Sequence, residues 1–165
     1  MARDTAAALA ERLAVLEFQE AARATLSRYM DLCDVPRPSF HRDDMASLFT
    51  EQAVWEGIGP EYTAKFGRLE GRPAILSMLA DFLPPSSHFK RNVHLLGNGS
   101  VAAAGGGTAS GQWIMQQLSE YDGGGTELIS ARLTVDFELS EGTARIRHFR
   151  TEKLFTADLV NPVHA

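Results

Sequence analysis

The sequence predicts an α+β fold, with helices first and a long, mostly antiparallel sheet after them. Three observations predict it. Residues 5–34 contain no glycine or proline and repeat apolar side chains at helical steps. Beyond Pro84-Pro85 the apolar period changes from about 3.6 to 2 and stays there almost to the end. Many of the 14 glycines fall between the alternating runs, where hairpins turn or a sheet bends. At 165 residues, 44% hydrophobic and 22% charged, the chain suits one domain, spanning 1–165 with a core of about 9–155. It is too short for two proper cores.

The first helix carries Leu9, Leu13 and Leu16, then Phe18, Ala22, Leu26, Tyr29, Met30 and Cys33, with Asp4 or Thr5 expected as its N-cap. Pro36 and Pro38 end it. His41 to Phe49 has room for a short second helix, with Met45, Leu48 and Phe49 on one side. Ala53 to Gly57 reads as a strand, and a loop through Pro60 and Gly67 follows. Gly71-Arg72-Pro73 opens a third helix with Ile75, Leu76, Leu79, Phe82 and Leu83 as its apolar stripe. His88 to Leu96 is a strand, and Asn98-Gly99 is a hairpin signal. Val101 to Leu118 is interrupted by Gly105-Gly106-Gly107, where a bulge or bend is expected. Residues 129–140 alternate as a half-buried strand, Glu141-Gly142 turns the chain, and Ala144 to Phe155 is the last run.

Composition excludes several classes. A net charge of −5 with scattered basic residues argues against nucleic-acid binding. There is no run of about 18 apolar residues, so no membrane span is expected. The single cysteine, Cys33, forms no intrachain disulfide and points to a reducing, cytoplasmic setting. The five histidines show no His-x-x-x-His spacing and no Cys-x-x-Cys occurs, so no metal site and no cofactor are expected. Gly97 to Ala102 imitates a dinucleotide fingerprint, but no helix follows it.

The informative polar residues share apolar faces. Tyr29 lies in the stripe of the first helix, and Asp34 closes that helix, where a carboxylate opposes the macrodipole. Asp34 either caps the Pro36 turn in water or belongs to a site. His88, Lys90, Asn92 and His94 share one strand face, which is either solvated or lines a pocket. Ile146, His148 and Arg150 offer the same choice on the last strand, and Trp55 and Trp113 suit either core or pocket.

The pattern resembles the nuclear transport factor 2-like superfamily, in its polyketide cyclase and dehydratase (SnoaL-like) branch. The resembling residues are Leu26 to Asp34, Leu48 to Glu56, Gly71 to Ile75, His88 with Asn92, and Gly142 to Phe149. The resemblance implies a cone-shaped, cystatin-like α+β barrel: a strongly curved sheet around the helices, with an apolar pocket between sheet and first helix. Within the branch the chain is similar to the scytalone and bile-acid dehydratases. That similarity implies catalytic roles for Asp34, His88 and Tyr29: His88 as general base and proton donor, Asp34 as its orienter, and Tyr29 as a hydrogen-bond donor. Trp55, Asn92, Trp113 and His148 would contact the ligand. Two departures stand out. Ala109 to Trp113 lacks the acid of the bile-acid enzyme, and Val35 to Phe40 looks inserted.

The function so implied is a cofactor-free lyase or isomerase acting on a hydrophobic oxygenated compound such as a steroid, terpenoid, polyketide or aromatic. The alternatives are a ligand carrier or scaffold resembling the small (beta) subunit of ring-hydroxylating dioxygenases, and a protein-interaction module. A homodimer is expected, because open sheet edges and faces need cover.

Overall fold

The computed structural model describes residues 2–37, 42–140 and 142–159. Helix α1 (Ala2–Cys33) is followed by α2 (Arg42–Ser47), β1 (Phe49–Ile58), α3 (Gly59–Lys65), β2 (Arg68–Glu70) and α4 (Arg72–Ala80). Four long strands complete the chain: β3 (Phe89–Gly105), β4 (Thr108–Tyr121), β5 (Thr126–Ser140) and β6 (Thr143–Asp158). The strands form one curled sheet in the order β2-β1-β6-β5-β4-β3; β1 runs parallel to β6 and every other pair is antiparallel.

Helix α1 packs its C-terminal half on the inner sheet face. Leu26 is fully buried, Thr25 Oγ1 donates to Ala144 O at 2.7 Å, and Gln19 Nε2 donates to Val101 O at 3.0 Å. Phe49, Leu133, Val135, Phe137 and Ile146 complete the core around it. Burying one such side chain contributes about 1.5–3 kcal/mol.

Several expectations are corrected. The first helix begins at Ala2, so neither Asp4 nor Thr5 is its cap. Its N-terminal stripe is not core: Leu9, Leu13 and Leu16 are 57%, 56% and 59% exposed, and burial starts at Phe18. Pro60 starts a helix, α3, rather than lying in a loop, because proline fits the first helical turn. Asn98-Gly99 does not turn the chain. β3 runs through it with a register shift between Leu96 and Gly99, and the reversal comes at Gly105, Gly106 and Gly107, all with φ between 58° and 81°. Gly99 serves close approach instead. A Cβ there would lie 1.9 Å from the Trp113 ring, which lies across Gly99 and Gly111.

The last strand breaks strict alternation. Asp136 faces His148 and Phe137 faces Ile146, so β6 holds one extra residue, Arg147. Ile146, Phe149 and Thr151 therefore point inward together, while His148 and Arg150 face out. The expected second helix is present as α2, but its start at His41, residues 38–40 of the apparent insertion and Glu141 of the last turn lie outside the described residues.

Candidate active site

The site is built where α1 ends. Residue 34 leaves the helix and Val35 pairs with Asn92 of β3 through two backbone bonds, Val35 N to Asn92 O at 2.8 Å and Asn92 N to Val35 O at 3.0 Å. This bridge fixes Asp34 beside the start of the His94 peptide. Asp34 Oδ1 accepts from the His94 backbone N–H at 2.9 Å and from its Nδ1 at 2.8 Å. The partner of Asp34 is thus His94 rather than His88. The reason is register: the bridge sits at Asn92, past His88 along the strand.

A carboxylate at Nδ1 requires that nitrogen to carry a proton, so in the neutral ring the lone pair is on Nε2. The His94 side chain is 8% exposed and lines a cavity walled largely by aromatic side chains. Two adjoining lobes, of about 120 and about 100 Å³, share Tyr29, Cys33, Trp55, Phe66 and His94. An apolar cavity of ~150 Å³ is enough to hold benzene; each lobe alone falls short of that, and a ring needs the two together. A larger depression of about 810 Å³ at the β4–β5 turn is open, polar and without histidine or cysteine. His88 and His94 line the smaller, more apolar space, with Asp34 behind His94.

Tyr29 sits under the cavity between Phe49 and Phe149, with ring centroids 5.7 and 5.1 Å away. Its hydroxyl accepts from Trp55 Nε1 at 3.2 Å. Burial, then the neighbouring Cys33, raises its pKa well above the usual phenol value, so it stays neutral and able to donate. Trp55 is stacked on Phe149 at 5.6 Å and lines both lobes.

His88 lines the first lobe with its ring edge-on to Phe82, Phe89 and Tyr121 at 4.8, 4.4 and 5.6 Å. Burial, reinforced by the Lys65 charge, holds its pKa below the ordinary imidazole value. Asn92 is buried in the cavity wall; its Oδ1 accepts from Ser119 Oγ at 2.9 Å, and that oxygen accepts from Gln117 Nε2 at 2.9 Å.

The structure brings together Asp34, Tyr29, Trp55, Asn92 and His88 around this cavity and leaves two expected ligand contacts elsewhere. Trp113 packs edge-on to Phe137 at 6.3 Å and over two glycines, outside the cavity lining. His148 is carried to the outer face by the β6 bulge. There its Nε2 donates to Glu56 Oε2 at 2.9 Å and its Nδ1 accepts from Arg150 at 2.8 Å.

Several lining groups, His94 among them, were not expected from the sequence. Phe66 and Lys65 lie in a stretch read as loop, and Cys33 reads as an inert core thiol. Cys33 does border both lobes, and burial pushes its thiol up to about 12, so it is not a thiolate nucleophile. His94 carried a usable signal, since it lies on the same period-2 face as His88 and Asn92.

No curated protein matches the sequence. The family model of the SnoaL-like domain matches residues 14–150. Among solved structures, a hexachlorocyclohexane dehydrochlorinase (LinA) type 2 superposes with a TM-score of 0.68 at 18% identity, over 95% of this chain and 93% of that one. A candidate scytalone dehydratase from Novosphingobium aromaticivorans gives 0.70 at 15% identity, over 88% and 93%. The beta subunit of a candidate aromatic-ring-hydroxylating dioxygenase from the same organism gives 0.63 at 18%, over 82% and 88%. At such identities these likenesses speak for the fold alone, whereas the family match covers most of the sequence. The chain belongs to the SnoaL-like domain family, in the nuclear transport factor 2-like superfamily.

Proposed function

We propose that this protein is a lyase or isomerase of dehydratase type, acting on a hydrophobic oxygenated small molecule by side-chain acid–base chemistry. The observation that carries the reading is the Asp34–His94 pair at the wall of an aromatic-lined cavity. Asp34 holds Nδ1–H, and His94 Nε2 takes a proton from a carbon beside a carbonyl. The C–H electrons become the C=C bond as the C–O bond breaks, and the proton passes from Nε2 to the departing hydroxyl as water. In an isomerase the same proton returns to another carbon. Tyr29 donates to the substrate oxygen, and His88, neutral at pH 7, is the second acid–base group, across the first lobe. Trp55 and Asn92 position the ring. A base near its working pKa contributes roughly 10²–10⁴ in rate.

The test is elimination from a panel of cyclic and aryl β-hydroxy ketones, followed by enone absorbance. Turnover that falls at least a hundredfold in both His94→Ala and Asp34→Asn supports the reading. Full turnover in both variants overturns it. A non-catalytic scaffold needs no carboxylate-oriented histidine at a cavity wall, so the pair favours the enzyme.

No described helix is long and apolar enough to cross a membrane. The buried, unpaired Cys33 fits a cytoplasmic setting. A homodimer would cover the exposed outer residues Val93, Leu95 and Ile114, and light scattering reads its mass.

A further inference from the structure

The residues lining the two lobes include no aspartate, glutamate or arginine, and Lys65 is the one permanently charged side chain among them. Lys65 is the last residue of α3, at the mouth of the first lobe. The chain has three lysines, and the other two are held by carboxylates: Lys90 Nζ lies 2.7 Å from Glu120 and Lys153 Nζ 2.9 Å from Glu61. Among the described residues Lys65 has no carboxylate within 4 Å. Its Nζ instead sits 5.0 Å from the centroid of Phe66, whose ring borders both lobes and meets Trp55 edge-on at 5.2 Å. Glu127 is close enough to feel Lys65, but its carboxylate is occupied by the hydroxyls of Tyr121 and Thr156. An acidic chain has therefore placed a cation with no direct carboxylate partner among the described residues beside an aromatic-lined cavity.

We propose that the substrate is an acid: a ring compound whose carboxylate is neutralised by Lys65 while the ring lies against the edge-on pair of Trp55 and Phe66. This rests on the same cavity being the substrate site. The neutral imidazole of His88, in the same lobe, is placed to donate a second hydrogen bond to that carboxylate. Lys65 is itself exposed, so its ion pair is of surface strength; with the His88 hydrogen bond added, a tenfold preference, about 1.4 kcal/mol, is expected.

The probes are cinnamate and its uncharged isostere cinnamamide, titrated against the full chain with tryptophan fluorescence as readout. The native protein is expected to bind the acid roughly tenfold more tightly than the amide. Lys65→Met is expected to remove that preference by weakening the acid and sparing the amide, and Lys65→Arg to retain it. Equal binding of acid and amide by the native protein overturns the proposal. So does equal weakening of both by Lys65→Met, or no acid binding at millimolar concentration. Failure here is separable from failure of the lyase reading. Lost turnover in His94→Ala with no acid preference leaves the lyase reading and removes the anion site. An intact preference with full turnover in His94→Ala does the reverse.

Discussion

Two histidine–carboxylate pairs lie on opposite faces of the same sheet. Inside, Asp34 Oδ1 takes Nδ1–H of His94 at 2.8 Å; outside, Glu56 Oε2 takes Nε2–H of His148 at 2.9 Å. The contacts are almost equal in length, and what differs is the other nitrogen. Arginine only donates, so Arg150 commits Nδ1 of His148, and Arg150 also donates to Asp136 at 2.7 Å. Both ring nitrogens of His148 are thus spent on a surface network that continues from Glu56 to Arg68 at 3.1 Å. His94 has one nitrogen fixed and its side chain lines the aromatic cavity. A histidine beside a carboxylate is therefore not in itself a site; the second nitrogen and the space in front of it decide.

The comparison breaks most readily at the level of rate. His94→Ala and Asp34→Asn are expected to lower kcat/KM by roughly 10²–10⁴, while His148→Ala leaves it unchanged. Parallel losses in steady-state assays of all three would erase the distinction. Tyr29→Phe removes one neutral donor and is expected to lower kcat by about tenfold, in keeping with roughly 0.5–1.5 kcal/mol for a net hydrogen bond.

Stability effects sharpen the contrast from the other side. Gly99→Ala forces a methyl group into the Trp113 ring, 1.9 Å from its nearest atoms, and is expected to cost about 1–3 kcal/mol by urea unfolding with little direct effect on the cavity. The smallest effect is on pH dependence. Burial of His88 and of His148 lowers both pKa values in the folded chain. The unfolded chain then takes up protons first as pH falls through about 6.5, so this stability contribution is complete above that pH and lost below it. Melting temperature should fall between about pH 6.5 and 5, and His148→Asn should flatten part of that fall. An unchanged slope in the variant would show that His148 titrates alike in both states.

Much of the fold was legible because it rests on local periodicity. The helix ending at Cys33, the stripe from Ile75 to Leu79 and the alternation from Ile129 to Phe137 all report which face meets the core. What local pattern cannot report is a single inserted residue. Arg147 shifts the β6 register and sends His148 outward, while Phe149 joins Ile146 in the core. Gly99 looked like a turn residue because Asn-Gly dipeptides usually are, yet it yields space to Trp113, fourteen residues away in sequence. At the site, Asp34, Tyr29, Trp55 and Asn92 were found from their faces and the family resemblance. The partner of Asp34 was not, since that depends on where Val35 bridges to β3, a long-range register choice that no single stretch encodes. Lys65 was hidden by the same limit, because only the folded α3 brings it over the cavity.

The proposed chemistry turns on Asp34 holding His94 with the proton on Nδ1 and the lone pair on Nε2. Long-range proton–nitrogen NMR on protein carrying nitrogen-15 histidine reads the tautomer of each ring at neutral pH without any substrate. The expected result is His94 as the Nδ1–H form and His148 as the Nε2–H form, with Asp34→Asn releasing the first into exchange and leaving the second untouched. His94 as the Nε2–H form in the native chain, or no response to Asp34→Asn, would contradict the account.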